Sequence, residues 1–229
     1  MKYIRDLSLK EFVDSHHKAV DEDLYRLRRS NEDEGVPLIF TETEEILSLL
    51  IGLTHPARIL EIGTAHGYSS LFFAKKLPDA RITTIERNPV MVEAAQAEFA
   101  SRKEGKRIDF RIGDASEILE ELIDKLADAD ESEKFDFVFI DAAKSHYREF
   151  FEAAEKICTK DALIVCDNIL LNGWILEAGG KDAKRHRTSI KYMKNFLEYL
   201  RQREDIEVSI LTGADGLAII RFVNENKQR

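Results

Sequence analysis

Apolar and polar positions in the central part of the chain follow two alternating patterns. Short runs rich in β-branched and aromatic residues, typical of buried strands, are separated by longer stretches with apolar residues at helical spacing. The strand-like runs are 58–63, 81–86, 107–112, 135–141 and 162–168, and two clear helical stretches are 88–103 and 115–127. Strands that alternate with crossover helices predict a parallel sheet covered by helices on both faces.

Two further strand-like runs, 207–212 and 215–222, are separated only by Gly213 and Ala214. Parallel strands need a much longer connection, so we expect this pair to be antiparallel. The predicted fold class is therefore α/β, with a Rossmann-like, doubly wound, mostly parallel seven-stranded sheet that ends in an antiparallel hairpin.

The N-terminal part of the chain differs from this core. Residues 1–40 are highly charged, their apolar positions have helical spacing, and the pattern breaks at Gly35. A second helix is predicted to begin near Thr41, where Thr41 and Glu44 have the form of a capping box, and to end at His55.

Length and composition fit a globular protein of 229 residues, of which 44% are hydrophobic. We predict a single domain over 1–229, with an N-terminal helical cap at 1–55 and a Rossmann-like core at 56–222. The first residues lack the apolar region of a secretory signal and no apolar run reaches membrane-spanning length, so we expect a cytoplasmic protein that contacts no membrane. Cys158 and Cys166 lie among apolar residues, which indicates reduced core thiols.

Charge is unevenly distributed along the chain. The formal net charge is −9, which by itself argues against a protein that coats nucleic acid. Residues 181–203 nevertheless hold eight Lys or Arg against two acids, a local charge of +6 that leaves −15 on the remainder. Such asymmetry can mark a surface for an anionic partner, and a solvated helix face is the alternative interpretation.

The loop after the first predicted strand carries glycines that let the backbone approach a ligand. Gly63 and Gly67 have GxxxG spacing and not the GxGxxG of dinucleotide-binding loops, which disfavours NAD. Glu86 ends the second strand, where an acid can accept both ribose hydroxyls of a nucleoside cofactor; an ordinary loop acid is the alternative. Asp114, after the third strand, could contact an adenine amino group or cap the following helix.

Two consecutive predicted strands end in acidic residues. Asp141 closes one, and Asp167 followed by Asn168 closes the other. If these strands are adjacent they lie about 4.8 Å apart, and the three side chains can reach one ion. An oxygen-only set with two negative charges suits Mg²⁺, or Mn²⁺ and Ca²⁺, and not zinc. Lys144 could accept a proton from a metal-polarised hydroxyl, or be a surface lysine.

Five short motifs occur in a fixed order over roughly residues 36–222, namely EIGTAHGYSS, IER, GDA, FIDAAKSHY and CDNIL. With these motifs the chain resembles the metal-dependent O-methyltransferases of the catechol and caffeoyl-CoA type. Within that group it looks closest to the bacterial tRNA 5-hydroxyuridine methyltransferases, because VPL precedes the core, a basic run precedes the last helix and GADGLAI forms the terminal hairpin. The tRNA type often has a longer arginine run than the KRHR at 184–187 here.

The resemblance implies S-adenosylmethionine as cofactor and a divalent metal, Mg²⁺ or else Mn²⁺ or Ca²⁺. Glu86 would bind the ribose and Ser69 the methionine end. The remaining cofactor contacts would be Ile39, Glu61, Gly63, Gly67, Gly113, Asp114, Ala115 and Asp141. Asp141, Asp167 and Asn168 match the family's metal ligands, and Lys144 matches the general base, with Asp141 beside it as the second catalytic residue.

Our main hypothesis for the acceptor is 5-hydroxyuridine at the wobble position of tRNA, methylated to 5-methoxyuridine. Lys184, Arg185 and Arg187 would then contact RNA phosphates. The alternative is a small-molecule catechol or phenylpropanoid acceptor with the same core residues. A rival from another class is a nucleoside- or NAD-binding regulatory module without catalysis. We also expect a homodimer.

Overall fold

Seven strands form one sheet at the centre of the molecule. The structure is a computed structural model, which describes residue 12 and residues 15–176 and 185–223. The strands are β1 (Arg58–Ile62), β2 (Arg81–Glu86), β3 (Ile108–Ile112), β4 (Phe135–Ile140), β5 (Cys158–Asp167), β6 (Ile206–Leu211) and β7 (Leu217–Phe222). Their order across the sheet is β3-β2-β1-β4-β5-β7-β6.

The pairing of the strands confirms the predicted fold class. Neighbours among β1 to β5 are parallel, whereas β7 is antiparallel to both β5 and β6. Two details differ from the prediction. β5 begins earlier than expected because Cys158 pairs with Phe135 before a register irregularity. The hairpin connection is longer than the predicted dipeptide and spans 212–216, because positive φ at Ala214 and Gly216 forms the turn.

Helices cover both faces of the sheet. The α-helices of the described ranges are α1 (Glu22–Asp33), α2 (Thr41–Thr54), α3 (Tyr68–Lys76), α4 (Pro89–Ala100), α5 (Ala115–Leu126), α6 (Tyr147–Ile157) and α7 (Arg187–Gln202). Buried side chains of α5, α6 and α7 form one core cluster with the sheet, and those of α1 to α4 form the other.

The central strand β1 shows how the two cores meet. Leu60 and Ile62 pack into the cluster with α5 to α7, whereas Ile59 packs into the cluster with α1 to α4. All three side chains are fully buried, and burial of each contributes about 1.5–3 kcal/mol. The carboxyl end of β1 is therefore held firmly from both faces.

The predicted capping box at the start of α2 is wrong. Phe40 is the N-cap residue and makes no side-chain capping hydrogen bond, and Thr41 is the first helical residue. The buried Glu44 carboxylate instead accepts hydrogen bonds from Arg28 and from Tyr68. The guanidinium adds a full positive charge beside the buried carboxylate, which a backbone N–H would not supply, so a tertiary contact overrides the local pattern.

Both cysteines are free and buried, as predicted. Burial raises the pKa of the Cys158 and Cys166 thiols, which keeps them protonated and unreactive. Within the ranges that the structure describes, no helix combines the length and the apolar character needed to span a bilayer.

Candidate active site

A cavity of about 610 Å³ opens at the carboxyl ends of the parallel strands. This is the edge of a doubly wound sheet at which ligands bind. The segment that precedes α2 forms one wall, and most of the remaining lining comes from the loops after β1 to β5, with Phe150 of α6 and Asp215 of the β6–β7 connection. Ten predicted site residues line it: Ile39, Gly63, Ser69, Glu86, Gly113, Asp114, Ala115, Asp141, Lys144 and Asn168. Glu61, Gly67 and Asp167 lie next to the cavity but do not line it.

The glycine loop between β1 and α3 lies against the end of β4. Gly63 has a φ of 105°, and a Cβ atom there would lie 2.0 Å from the backbone oxygen of Asp141. At Gly67, with a φ of 83°, a Cβ atom would lie 2.6 Å from the ring of Phe99. Both glycines are thus needed for close packing, and Gly67 supports the loop without facing the cavity.

Three backbone N–H groups fix the carboxylate of Glu86. Oε2 accepts a hydrogen bond from Ala65 at 3.0 Å, and Oε1 accepts from Arg87 and Asn88, both at 2.9 Å. The carboxylate is half-buried at the wall of the cavity. Each oxygen can accept further bonds, so the group is well placed to receive a pair of hydroxyls.

Asp114 caps α5 and also lines the cavity, so one of its two predicted roles is observed. Oδ1 accepts from the Ser116 N–H at 3.0 Å, and Oδ2 pairs with Arg87 at 2.6 Å. The helix N–H group and the guanidinium together lower the pKa of Asp114. The carboxylate therefore stays charged at the cavity wall.

Glu61 is fully buried beneath the cavity floor. Its Oε2 accepts hydrogen bonds from Ser70 and from Thr84, the latter at 2.5 Å. Burial raises the pKa of Glu61 to about 7, against the opposing effect of hydrogen bonds from Ser69, Ser70 and Thr84. Glu61 thus supports the cavity-lining Ser69 from below and does not itself reach the cavity.

The ammonium group of Lys144 lies among oxygen atoms at the other end of the cavity. Its Nζ is 2.9 Å from Asp141 Oδ1, 3.1 Å from Asn168 Oδ1 and 3.4 Å from the Asp167 backbone oxygen. β4 and β5 are adjacent, as the prediction required, and their ends bring these residues together. The arrangement is a preformed site for positive charge.

Asp167 completes this group from within the sheet. Its side chain is fully buried; Oδ1 accepts from the Asn168 N–H at 2.7 Å, and Oδ2 has no hydrogen-bond partner among the described residues. Burial, reinforced by the charge of Asp141, raises the pKa of Asp167 to about 8. Both features fit a cation that would supply the missing partner for Oδ2.

The predicted metal ligands are two carboxylates and one amide, an oxygen-only donor set suited to a hard cation. Clusters of three or more His, Cys, Asp or Glu side chains able to hold a metal do not occur in the described part of the chain. The cation assignment therefore depends on the Asn168 amide oxygen and on the orphaned oxygen of Asp167.

Tyr147 is a neighbour of Lys144 to which the sequence pattern assigns no role. Its hydroxyl accepts from Lys144 Nζ at 2.6 Å and donates to the Asp167 backbone oxygen at 2.7 Å. Burial and the charge of Asp141 raise the pKa of Tyr147 well above its usual value. The three-residue spacing from Lys144 was the available signal, since it places both side chains on one turn.

Aromatic side chains form the wall beyond Lys144. Trp174 lines the cavity, and its ring stacks on that of His186 with centroids 4.0 Å apart and planes inclined by 15°. His146 and Phe150, both in the cavity lining, stack at 5.7 Å. Aromatic rings in a cavity lining can stack on a planar group.

A protein-family model described as O-methyltransferase matches residues 15–223 of this chain. The chain belongs to the O-methyltransferase family. A catechol O-methyltransferase from Niastella koreensis is 32% identical over 160 residues, which cover 69% of this chain and 70% of the relative. Caffeoyl-CoA O-methyltransferase 2 from Zea mays is 29% identical over 204 residues, 87% of this chain and 72% of the relative.

A solved structure agrees with this assignment. The O-methyltransferase TomG from Streptomyces achromogenes, involved in tomaymycin synthesis and determined in complex with SAM, superposes with a TM-score of 0.79 and 28% identity. The match covers 98% of this chain and all of TomG. This O-methyltransferase therefore depends on S-adenosylmethionine, and the hypothesis of a regulatory module without catalysis is wrong.

The basic residues predicted to contact tRNA are only partly described. Lys184 lies outside the described residues, whereas Arg185 and Arg187 are exposed at the start of α7. Neither arginine is in the cavity lining. In this O-methyltransferase they are surface charges near the aromatic wall, since Trp174 stacks on the intervening His186.

Proposed function

We propose that this O-methyltransferase methylates one hydroxyl of a small aromatic molecule that carries two adjacent hydroxyls, and that it uses a divalent cation. The observation that carries the proposal is the oxygen cluster of Asp141, Asp167 and Asn168, which surrounds Lys144 at the floor of the cavity. Two adjacent hydroxyl oxygens are the simplest acceptor group that could share a cation with such a cluster.

The glycine-loop side of the cavity would bind the cofactor. The fixed carboxylate of Glu86 would accept hydrogen bonds from the two ribose hydroxyls. The adenine would lie beside Gly113, Asp114 and Ala115. Ser69, held over Glu61, would contact the methionine end. This arrangement would direct the sulfonium methyl toward Lys144.

Asp141, Asp167 and Asn168 would hold Mg²⁺, Mn²⁺ or Ca²⁺. When bound, such an ion lowers the pKa of a hydroxyl that contacts it. In its uncharged form, Lys144 would take the proton from the acceptor hydroxyl at Nζ, and the Tyr147 hydroxyl beside Nζ would orient the amine. The acceptor oxygen would then attack the methyl carbon in line, the bond from that carbon to the sulfonium sulfur would break, and S-adenosylhomocysteine would leave. Much of the rate enhancement would come from holding oxygen and carbon close together.

Two observations favour a small aromatic acceptor over tRNA. The rings of Trp174, His146 and Phe150 line the same cavity as Lys144 and could stack on a planar acceptor. The relatives are named for catechol and for caffeoyl-CoA. Methylation of 5-hydroxyuridine in tRNA stays the second candidate, favoured by the local charge of +6 over 181–203.

The decisive experiment compares acceptors with the purified enzyme, S-adenosylmethionine and Mg²⁺. We expect mass spectrometry to detect one added methyl group on catechol or a catechol-bearing phenylpropanoid, and none on phenol, which lacks the second hydroxyl. Asn168→Ala should abolish turnover, whereas Asn195→Ala, an exposed asparagine on α7, should not. Methoxyuridine formed on tRNA without any product from catechols would replace this proposal by the tRNA hypothesis.

Equal methylation of phenol and catechol would instead show that the acceptor does not chelate a cation.

The cytoplasmic location, the homodimer, the lack of membrane contact and the single domain over 1–229 stay predictions. Gel filtration with light scattering measures the second of these directly.

A further inference from the structure

Helix α1 belongs to the N-terminal cap, yet it is hydrogen-bonded to the walls of the cofactor end of the cavity. Arg28, in the middle of α1, is only 6% exposed. Its Nη1 donates to the Ile39 backbone oxygen at 3.1 Å, and its Nε donates to the Tyr68 hydroxyl at 3.2 Å. One guanidinium thus joins helix α1 to two other segments of the chain.

Both of these segments shape the cavity. Ile39 belongs to the stretch 37–40, every residue of which lines the cavity. Tyr68 is the first residue of α3 and directly follows Gly67, the last residue of the glycine loop. A second contact of α1 reaches the same loop, because Asn31 Oδ1 lies 3.0 Å from His66 Nδ1.

Glu44 of α2 holds the guanidinium in place. Its Oε2 accepts hydrogen bonds from Arg28 Nη2 and, at 2.7 Å, from the Tyr68 hydroxyl. Its Oε1 lies 3.3 Å from His17 Nε2. Glu44 is 1% exposed, so the two opposite charges lie together in a dry environment with few alternative geometries.

We infer that Arg28 is a positioning residue for S-adenosylmethionine: it fixes the wall 37–40 against the glycine loop and so sets the shape of the cofactor end of the cavity. A planar guanidinium bonds three groups in fixed directions, whereas a lysine ammonium at the same position could keep the charge but not this fork. Loss of the fork frees two cavity walls relative to each other.

The test uses Arg28→Lys, with Arg29→Lys on the exposed side of the same helix as control; the Arg29 side chain is 57% exposed. We expect calorimetry to show binding of S-adenosylhomocysteine weakened about tenfold or more in Arg28→Lys, the scale of one lost charge-assisted hydrogen bond. The control should bind as wild type.

Kinetics separate positioning from a general structural role. The KM for S-adenosylmethionine should rise in Arg28→Lys, while kcat at saturating cofactor and the KM for the acceptor stay unchanged. A variant that unfolds at a lower temperature yet binds S-adenosylhomocysteine with wild-type affinity would overturn the inference, since Arg28 would then only stabilise the fold.

Tyr68→Phe provides an independent variant if Arg28→Lys does not fold. It removes only the hydroxyl that bonds Arg28 and Glu44, and it should also weaken S-adenosylhomocysteine binding. Wild-type affinity in a folded Tyr68→Phe would equally contradict the inference. The binding assay contains neither acceptor nor metal, so its outcome is independent of the proposed acceptor.

Discussion

Glu61 is an acid in a place where a charge is poorly solvated. It is fully buried beneath the cofactor cavity, and its pKa is raised from 4.5 to about 7, chiefly by burial. A raised pKa means that the folded state binds the proton more tightly than the unfolded state does. The stability contributed by the protonated side chain is therefore fully present below pH 4.5 and is lost as pH rises through 7.

Replacement of Glu61 by Gln should remove this pH dependence. Between pH 4.5 and 7 the wild-type free energy of unfolding should fall relative to that of Glu61→Gln, by roughly 3 kcal/mol at most for a shift of this size. Urea denaturation at several pH values measures the difference. Parallel curves for the two proteins would show that Glu61 titrates in the folded state as it does in the unfolded chain.

Replacement of Lys144, the proposed general base, should have a large effect on kcat. Its amine lies among the oxygens of Asp141, Tyr147 and Asn168, where it can exchange a proton with an acceptor hydroxyl. Lys144→Met should lower kcat by about 10²–10⁴-fold, the usual contribution of general-base catalysis, and leave cofactor affinity intact. Lys194→Met, on the exposed face of α7, is the control. Normal turnover in Lys144→Met would mean that this lysine serves only the structure.

At the scale of elements, the adjacent ends of β4 and β5 carry the proposed metal ligands. Binding of the metal should therefore stabilise the folded protein. Mg²⁺ or Mn²⁺ should raise the unfolding temperature in chelator-free buffer, by the equivalent of about 2.7 kcal/mol at a hundred times Kd. Asp167→Asn should lose this response, whereas Asp124→Asn on the exposed side of α5 should keep it. Calorimetric scans with and without chelator decide the question, and equal shifts in both variants would place the ion elsewhere.

The sequence pattern predicts most elements of the core closely, including helix α5 to within one residue. β2 was predicted with its observed bounds and β1 to within one residue, because strands buried on both faces stand out as apolar runs. The first four residues of β5 were missed, since Thr159, Lys160 and Asp161 hide the start of the strand. The strand ends also predict the position of the cavity, because ligands of a doubly wound sheet bind at the carboxyl ends of its strands.

Contacts between distant elements could not be predicted from the pattern. The pairing of Glu44 with Arg28 replaced the expected helix cap, and the stack of Trp174 on His186 joins residues without any shared motif. Glu61 was expected to touch the cofactor, but β1 points its side chain beneath the floor. In each case packing decides where a side chain goes, and packing is not encoded in local spacing.

For the whole molecule, the charge distribution and the cavity favour different acceptors: the basic segment suits an anionic partner, whereas the cavity suits a small aromatic molecule. The whole chain has a formal net charge of −9, made up of +6 on the segment 181–203 and −15 on the remainder. A field of that sign would attract an anionic partner over distances of about 10 Å at moderate salt. A neutral catechol feels little of such a field, so salt dependence separates the two acceptor classes.

Turnover of a catechol should therefore be nearly insensitive to salt. If Lys184, Arg185 and Arg187 made three phosphate contacts, raising the salt concentration from 50 to 200 mM would weaken RNA binding by roughly 20–40-fold. The KM for a neutral acceptor should change by less than about twofold over the same range. Replacing the three residues by Ala should leave catechol kinetics unchanged. The matched control replaces three basic residues outside this segment, Lys103, Lys125 and Lys156.

A steep salt dependence of catechol turnover, abolished in the basic triple variant and kept in the control, would contradict the small-molecule proposal in its present form. It would mean that the basic segment takes part in acceptor binding even when the acceptor is small, as it could for an acceptor with a charged group attached. Because Trp174 stacks on His186 between Arg185 and Arg187, such charges would lie close to the aromatic wall. The salt titration thus shows whether the acceptor makes ionic contacts with the basic segment outside the cavity.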